Sequence, residues 1–186
     1  MYIGNPVEDI IQLATDSKAE LSSDVRANCF SCLAEAFLTQ NKLDEAKESL
    51  KRALELHRQA HSVLGEANDL QRLGDVFLQQ DKLDEAEKSL NRALELHQQT
   101  HSVIGEANDL HKLGDVFLQQ DKLDEAEESL NRALELHQQV HSVLGEATDL
   151  QKLGDVFLRC SRLDEAKESL NRALELHRQT HSVLEE

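Results

Sequence analysis

An all-α fold of stacked helical hairpins is predicted by three features of this sequence. The first is an internal repeat. The forty residues from Gly65, GEANDLQRLGDVFLQQDKLDEAEKSLNRALELHQQTHSVI, return from Gly105 with five changes, again from Gly145, and more loosely from Val25. The second is apolar spacing of three to four positions on two consecutive segments of every copy. The third is composition: one Pro, no Trp, one Tyr and five Phe leave a core of Leu, Ala and Val, which suits closely packed helices. One such unit cannot bury its own apolar face, so the units must stack into a solenoid.

Residues 1–24 read as a capping segment, with Pro6 at a first helical position and Ile10, Ile11 and Leu13 as its apolar contacts. Four repeats follow: 25–64, 65–104, 105–144 and 145–184. In the unit from Gly65, Ala67, Leu70, Leu73, Gly74 and Phe77 define a helix A of roughly Glu66 to Gln80. Asp84 then fits an N-cap, with Glu87 three residues on as its capping-box partner. Ala86, Leu90, Ala93, Leu94 and Leu96 give helix B, expected to run to about Ser102. The turn between A and B carries Asn41, Asp81, Asp121 or Ser161. Asn and Asp tolerate a left-handed backbone; serine does so less well, so the fourth turn is expected to be the least stable. Gly74, Gly114 and Gly154 fall inside helix A, where Ala34 stands in the first unit. The position calls for a small side chain that lets helix B come close.

Leu70, Leu73-Gly74, Phe77, Ala86, Leu90 and Ala93 stand where the tetratricopeptide repeat places its large, Leu-Gly, aromatic and small-large-small positions, and the pattern resembles that family in all four units. LDEAEKSLNRALEL, Leu83 to Leu96, is close to the family's helix B. Three features depart from it: Leu or Phe30 at the usual first aromatic position, Asp or Asn for the turn glycine, and a period of 40 rather than 34 without the closing proline. The extra residues are expected to lengthen helix B through HQQTHS. Units of this length are similar to the arrays of kinesin light chains and of fungal NACHT or NB-ARC receptors. The resemblance implies a right-handed superhelix and non-catalytic protein recognition in a concave groove lined by helix A.

The groove positions that the resemblance implies are Asn68, Gln71, Asp75, Leu78 and Gln79; then Asn108, His111, Asp115, Leu118 and Gln119; then Gln151, Asp155, Leu158 and Arg159, with Thr148 beside them. The first unit offers Asn28, Ser31, Glu35, Leu38 and Thr39. The acidic ladder Glu35, Asp75, Asp115, Asp155 favours a basic or amide-rich peptide or helix over an acidic tail. An alternative is a structural or self-assembling array, designed or excised, with no dedicated ligand, because the near-identical units hardly diversify the groove.

The net charge of −16, from 36 acids and 20 bases, lacks the basic footprint a nucleic-acid partner requires, and it disfavours an anionic membrane surface. No apolar run reaches membrane-spanning length and no signal peptide is visible. Three cysteines argue against a disulfide framework, so a reducing, cytoplasmic setting is expected. Cys29-Phe30-Ser31-Cys32 is a CxxC inside helix A with no second pair, and it reads as helix surface. With no helix after Leu184, Leu170, Ala173, Leu174 and Leu176 are expected to lack a cover, making a homo-oligomer through that end an expectation.

His57/His61, His97/His101, His137/His141 and His177/His181 are i,i+4 pairs on the expected long helix B. Such pairs can chelate a metal, and they make a metal-responsive scaffold the weaker functional alternative. The HxxxH pattern lacks the Glu of a zinc hydrolase, and a closed zinc site needs four ligands, so neither metal nor cofactor is expected. No Ser-His-Asp, Walker or Rossmann signature marks an enzyme.

Overall fold

The computed structural model describes residues 21–183, with side chains to Thr180, and it is an all-α repeat array. In chain order the helices are α1 (Ser23–Thr39), α2 (Leu43–Gln59), α3 (Val63–Gln79), α4 (Leu83–Gln99), α5 (Val103–Gln119), α6 (Leu123–Gln139), α7 (Val143–Arg159) and α8 (Leu163–Val183). Odd-numbered helices are the A helices and even-numbered ones the B helices. The expected capping segment lies outside the described residues up to residue 20; at its end Ser22 Oγ accepts from the Val25 N–H at 3.3 Å as the N-cap of α1, and Ser23 and Asp24 belong to that helix.

The forty-residue period resolves into two equal halves. Each helix through α7 is 17 residues long, and three residues join it to the next. The extra length is therefore not confined to helix B. Helix A begins at Val63, before the expected Glu66, and helix B ends at Gln99, before the expected Ser102.

The reason is turn chemistry. After every A helix the left-handed residue is Asn41, Asp81, Asp121 or Ser161, with φ between 56° and 60°, as the sequence suggests. After the B helices it is His61, His101 or His141, with φ of 54–55°. Histidine is among the few non-glycine residues that enter this region readily. Both turns are Schellman closures. Lys82 N–H donates to Phe77 O at 2.9 Å and Asp81 N–H to Leu78 O at 3.1 Å; Ser102 N–H donates to His97 O at 2.9 Å and His101 N–H to Gln98 O at 3.1 Å. A second correction concerns the B-helix start. Lys42 and Lys122 occupy the N-cap of α2 and α6 without a side-chain cap, and α4 begins at Leu83, which puts Asp84 in the first turn. Its carboxylate there still complements the positive end of the helix dipole.

The fourth turn has support that serine alone would not give. Arg162 ion-pairs with Glu127 at 2.6 Å and Glu165 at 2.5 Å, and its guanidinium lies 4.4 Å from the Phe157 ring centre. The hydrogen bonds to Glu165 and then Glu127 push the Arg162 pKa above its ordinary value.

The chain divides into two compact units, the first ending at Leu96 and the second beginning at His97. The core of the first gathers Ala34, Ala46, Leu50, Ala67, Leu73, Val76 and Ala93. That of the second gathers Ala126, Leu130, Leu153, Val156, Phe157 and Ala166. A fully buried leucine such as Leu50 or Leu130 contributes about 1.5–3 kcal/mol. The in-helix glycines explain how A and B approach. None has positive φ. A Cβ on Gly74 would lie 2.6 Å from Leu90, and one on Gly114 2.5 Å from Leu130. The requirement is for space, as the alanine at position 34 implies.

Candidate functional site

Helix A of one repeat neighbours helix A of the next, α1 beside α3 in the first unit and α5 beside α7 in the second. The proposed groove residues lie along these helices with unequal access. Asn68, Gln79, Gln119, Gln151, Asp155, Leu158 and Arg159 are exposed; Gln71, Asp75, Leu78, Asn108, Asp115, Leu118 and Thr148 are half-buried. Between α5 and α7 an open hollow of about 400 Å³ is lined by Leu118, Gln119, Asp155, Leu158 and Arg159. Arg159 Nη1 donates to the Leu118 carbonyl and lies 3.7 Å from Asp121, so its charge is engaged in the wall of the hollow.

The acidic ladder is less open than the sequence suggests. Arg72 Nη2 pairs with Glu35 at 2.5 Å, and Lys152 Nζ with Asp115 at 2.6 Å. Each cation comes from the following repeat, two positions before Gly74 or Gly154. Sequence reasoning passed over Arg72 and Lys152, although a basic residue beside an acid ladder at a fixed offset is a readable signal. Asp155 is exposed and forms no ion pair among the described residues.

Sequence reasoning also missed a set of buried polar junctions. His57, His97 and His137 are only 1–2% exposed, and Asp69, Asp109 and Asp149 are 0% exposed. The imidazole Nδ1 of each B helix meets the carboxylate of the following A helix: His57 to Asp69 at 2.7 Å, His97 to Asp109 at 2.6 Å and His137 to Asp149 at 2.6 Å. Asp69 Oδ1 also accepts from Ser31 Oγ at 2.7 Å, and Asp149 Oδ1 is 2.6 Å from His111 Nδ1. Two positions assigned to the groove, 31 and 111, thus tie adjacent A helices together instead. Burial raises the pKa of Asp69, against the hydrogen bonds from Ser31 and His57, which lower it.

Glycine completes each junction. A Cβ on Gly65, Gly105 or Gly145 would come within 2.4–2.5 Å of the ring Cδ2 of His57, His97 or His137. The imidazole is seated on bare backbone, and its Nδ1 reaches the carboxylate four residues further along the same helix. Ser31, Asp69 and His57 together look like a hydrolase triad, but the order is wrong. The carboxylate sits in the middle, so the serine hydroxyl never meets the imidazole as a base.

The i,i+4 histidine pairs do not form chelates where both side chains are described. His57, His97 and His137 are buried within the helix, whereas His61, His101 and His141 are exposed in the left-handed turns. No group of three or more His, Cys, Asp and Glu able to hold a metal occurs among the described residues. Cys29 and Cys160 are half-buried and Cys32 is exposed; all are free thiols.

Equal helical hairpins, closed by identical turns and pinned through buried side chains, define a helical-repeat scaffold. The chain belongs to the tetratricopeptide repeat family, which matches residues 25–99 and 105–179. No curated protein matches it. Among solved structures it is similar to BtubC (BKLC) from P. vanneervenii, with 20% identity and a TM-score of 0.81 over 94% of this chain and 71% of that one. It is also similar to MamA, with 19% identity and a TM-score of 0.71 over 95% and 89% of the two chains. A third likeness is to the nearly identical TPR-like repeats of a putative kinesin light chain from Podosopora anserina, with 17% identity and a TM-score of 0.71 over 94% and 86%. At these identities the likeness is one of fold.

Proposed function

We propose that this chain is a non-catalytic protein-interaction scaffold that receives an extended peptide or helix on the surface of its A helices. The observation that carries the reading is the hollow between α5 and α7, where Leu118 and Leu158 offer apolar contact and Gln119 and Asp155 offer polar recognition. Leu158 is 48% exposed, the kind of surface that a ligand side chain covers favourably. Because Glu35 and Asp115 already have cations, attraction for a basic or amide-rich ligand centres on Asp155. Within the second unit the groove positions from Asn108 through Gln119 extend the contact along α5; the positions from Asn68 through Gln79 offer the corresponding set on α3 of the first unit. Catalysis has no support in the buried junctions, since their imidazoles are closed to substrate. No helix among the described residues is long and apolar enough to cross a membrane. We place the protein in the cytoplasm, where its thiols stay reduced.

The test is a comparison of partners captured by the wild-type array and by Asp155→Asn. Loss of a partner from the variant alone supports the groove. Identical partner sets would move recognition elsewhere and favour the second reading, a structural array without a dedicated ligand. A homo-oligomer through the α8 end is the weaker partner reading.

A further inference from the structure

The third repeat alone carries a histidine where the others have Ser31, Gln71 and Gln151. His111 Nδ1 lies 2.6 Å from Asp149 Oδ1, and the other oxygen of that carboxylate lies 2.6 Å from His137 Nδ1. A carboxylate can only accept, so both imidazoles turn an Nδ1–H toward it. In a neutral ring the second nitrogen is then an acceptor.

The two rings use that second nitrogen differently. His137 is 2% exposed, and its Nε2 is 3.3 Å from the Asn108 side chain. The His111 side chain is 20% exposed, and its Nε2 has no hydrogen-bond partner among the described residues. It stands 3.9 Å from Asp115 Oδ2, one turn along α5, which is beyond hydrogen-bond reach. Asp115 is itself half used. Its Oδ1 is buried against Lys152 Nζ at 2.6 Å, while the side chain as a whole stays 24% exposed. Two acceptors therefore sit side by side on one face of α5, and neither can donate to the other. The groups in contact comprise two carboxylates, Asp115 and Asp149, against one cation, Lys152. The first unit offers no such pair. Ser31 is 6% exposed, and its hydroxyl is directed to Asp69 and the Ala27 carbonyl.

We propose that His111 Nε2 and Asp115 Oδ2 form a subsite for an arginine side chain of a bound peptide. A guanidinium supplies two diverging N–H groups in a fixed plane, one for each acceptor, together with a positive charge. A lysine ammonium brings the charge without the fork. The inference rests on the reading of the A-helix surface as a peptide-binding face and adds a register to it. One arginine is anchored at the third repeat of an array whose units otherwise hardly differ. The subsite uses neither Asp155 nor Leu158.

The test uses the full-length array at about pH 7.5, above the ordinary titration range of imidazole. The probe is N-acetylarginine N-methylamide, followed by nitrogen NMR of the histidine rings. In the free array His111 should show a protonated Nδ1 and a bare Nε2, and the probe should shift the Nε2 resonance saturably. The citrulline analogue, alike in shape but uncharged, and the lysine analogue should each bind at least about tenfold more weakly. His111→Ser keeps a hydroxyl for Asp149, as Ser31 does for Asp69, and removes the outward acceptor. That variant and Asp115→Asn should each lower arginine affinity by a similar factor. A proton on Nε2 in the free array, no saturable arginine binding, or citrulline or lysine binding as well as arginine would each overturn the proposal, and none of these results needs a variant to fold. Failure of the arginine probe while Asp155→Asn still loses a captured partner would strike the subsite and leave the peptide reading. Arginine binding with identical partner sets would keep the subsite and count against recognition through Asp155.

Discussion

Replacing Gly105 by alanine tests whether the histidine junction is a structural lock. The new Cβ would lie 2.5 Å from His97 Cδ2, 2.6 Å from Cγ and 2.7 Å from Nε2, roughly 1 Å inside ordinary carbon contact. The ring has little room to yield, being 1% exposed and held by Asp109 at 2.6 Å. Overpacking of this kind costs about 1–3 kcal/mol. Should the ring swing away, a buried donor and carboxylate are parted at a further cost of about 1–3 kcal/mol. Alanine's helix preference returns at most about 1 kcal/mol. A net loss of about 2–3 kcal/mol follows, a Tm decrease of roughly 4–12 °C for a chain of this size.

Gly114→Ala is the control. Its Cβ would clash with Leu130 at 2.5 Å, as severely by distance. Leu130 is anchored by no hydrogen bond, however, and Ala34 shows that the first unit accommodates alanine at this place. We expect Gly114→Ala to cost less than half as much in urea or thermal unfolding. Pairing Gly105→Ala with His97→Ala should recover part of the loss, a coupling that a double-mutant cycle reads directly. Equal costs for the two glycines, or strict additivity with His97→Ala, would refute the lock.

Further outcomes follow from the same geometry. His101 sits at φ 54°, a conformation glycine adopts freely; His101→Gly should therefore leave thermal stability unchanged or raise it by up to about 1 kcal/mol, and a marked loss would show a side-chain role at the turn. Asp121→Val, at φ 60°, should cost about 1–2 kcal/mol in urea unfolding. Asp69 has a raised folded pKa, so the stability tied to its protonated form is complete below its unfolded value and is lost as pH rises through the folded one. Relative to wild type, Asp69→Asn should therefore melt more favourably at pH 7 than at pH 4, and a difference that shrinks on raising the pH would contradict that sign. Zinc titrated calorimetrically should give no heat above buffer, because His57 and His61 do not share a helix face.

The repeat period and the helical spacing of Leu and Ala made the hairpin array legible, and Gly74 announced close helix packing by standing where glycine weakens a helix. The half-period of twenty was harder to see. It depends on histidine serving the same left-handed turn role after helix B that Asn or Asp serves after helix A, and histidine is not a usual turn signal. The regular His57 and His61 spacing suggested one face; backbone reversal at His61 separates them. The link from His57 to Asp69 spans twelve residues and crosses between helices, so no single-helix pattern displays it. A glycine at Gly65, four residues before Asp69 and repeated three times, was the available clue. The groove was legible as a set of positions, but not the pairing of Glu35 with Arg72 or of Asp115 with Lys152, which needs the distance between neighbouring A helices.

The most direct measurement is nitrogen-edited NMR of the histidine side chains under slow-exchange detection. Observable, exchange-protected Nδ1–H protons are expected on His57, His97 and His137, each lost when its partner Asp69, Asp109 or Asp149 is changed to Ala, and none on His61, His101 or His141. Nine imidazoles exchanging alike with solvent would contradict this expectation, and the stacking geometry and the glycine requirement would have to be abandoned with it.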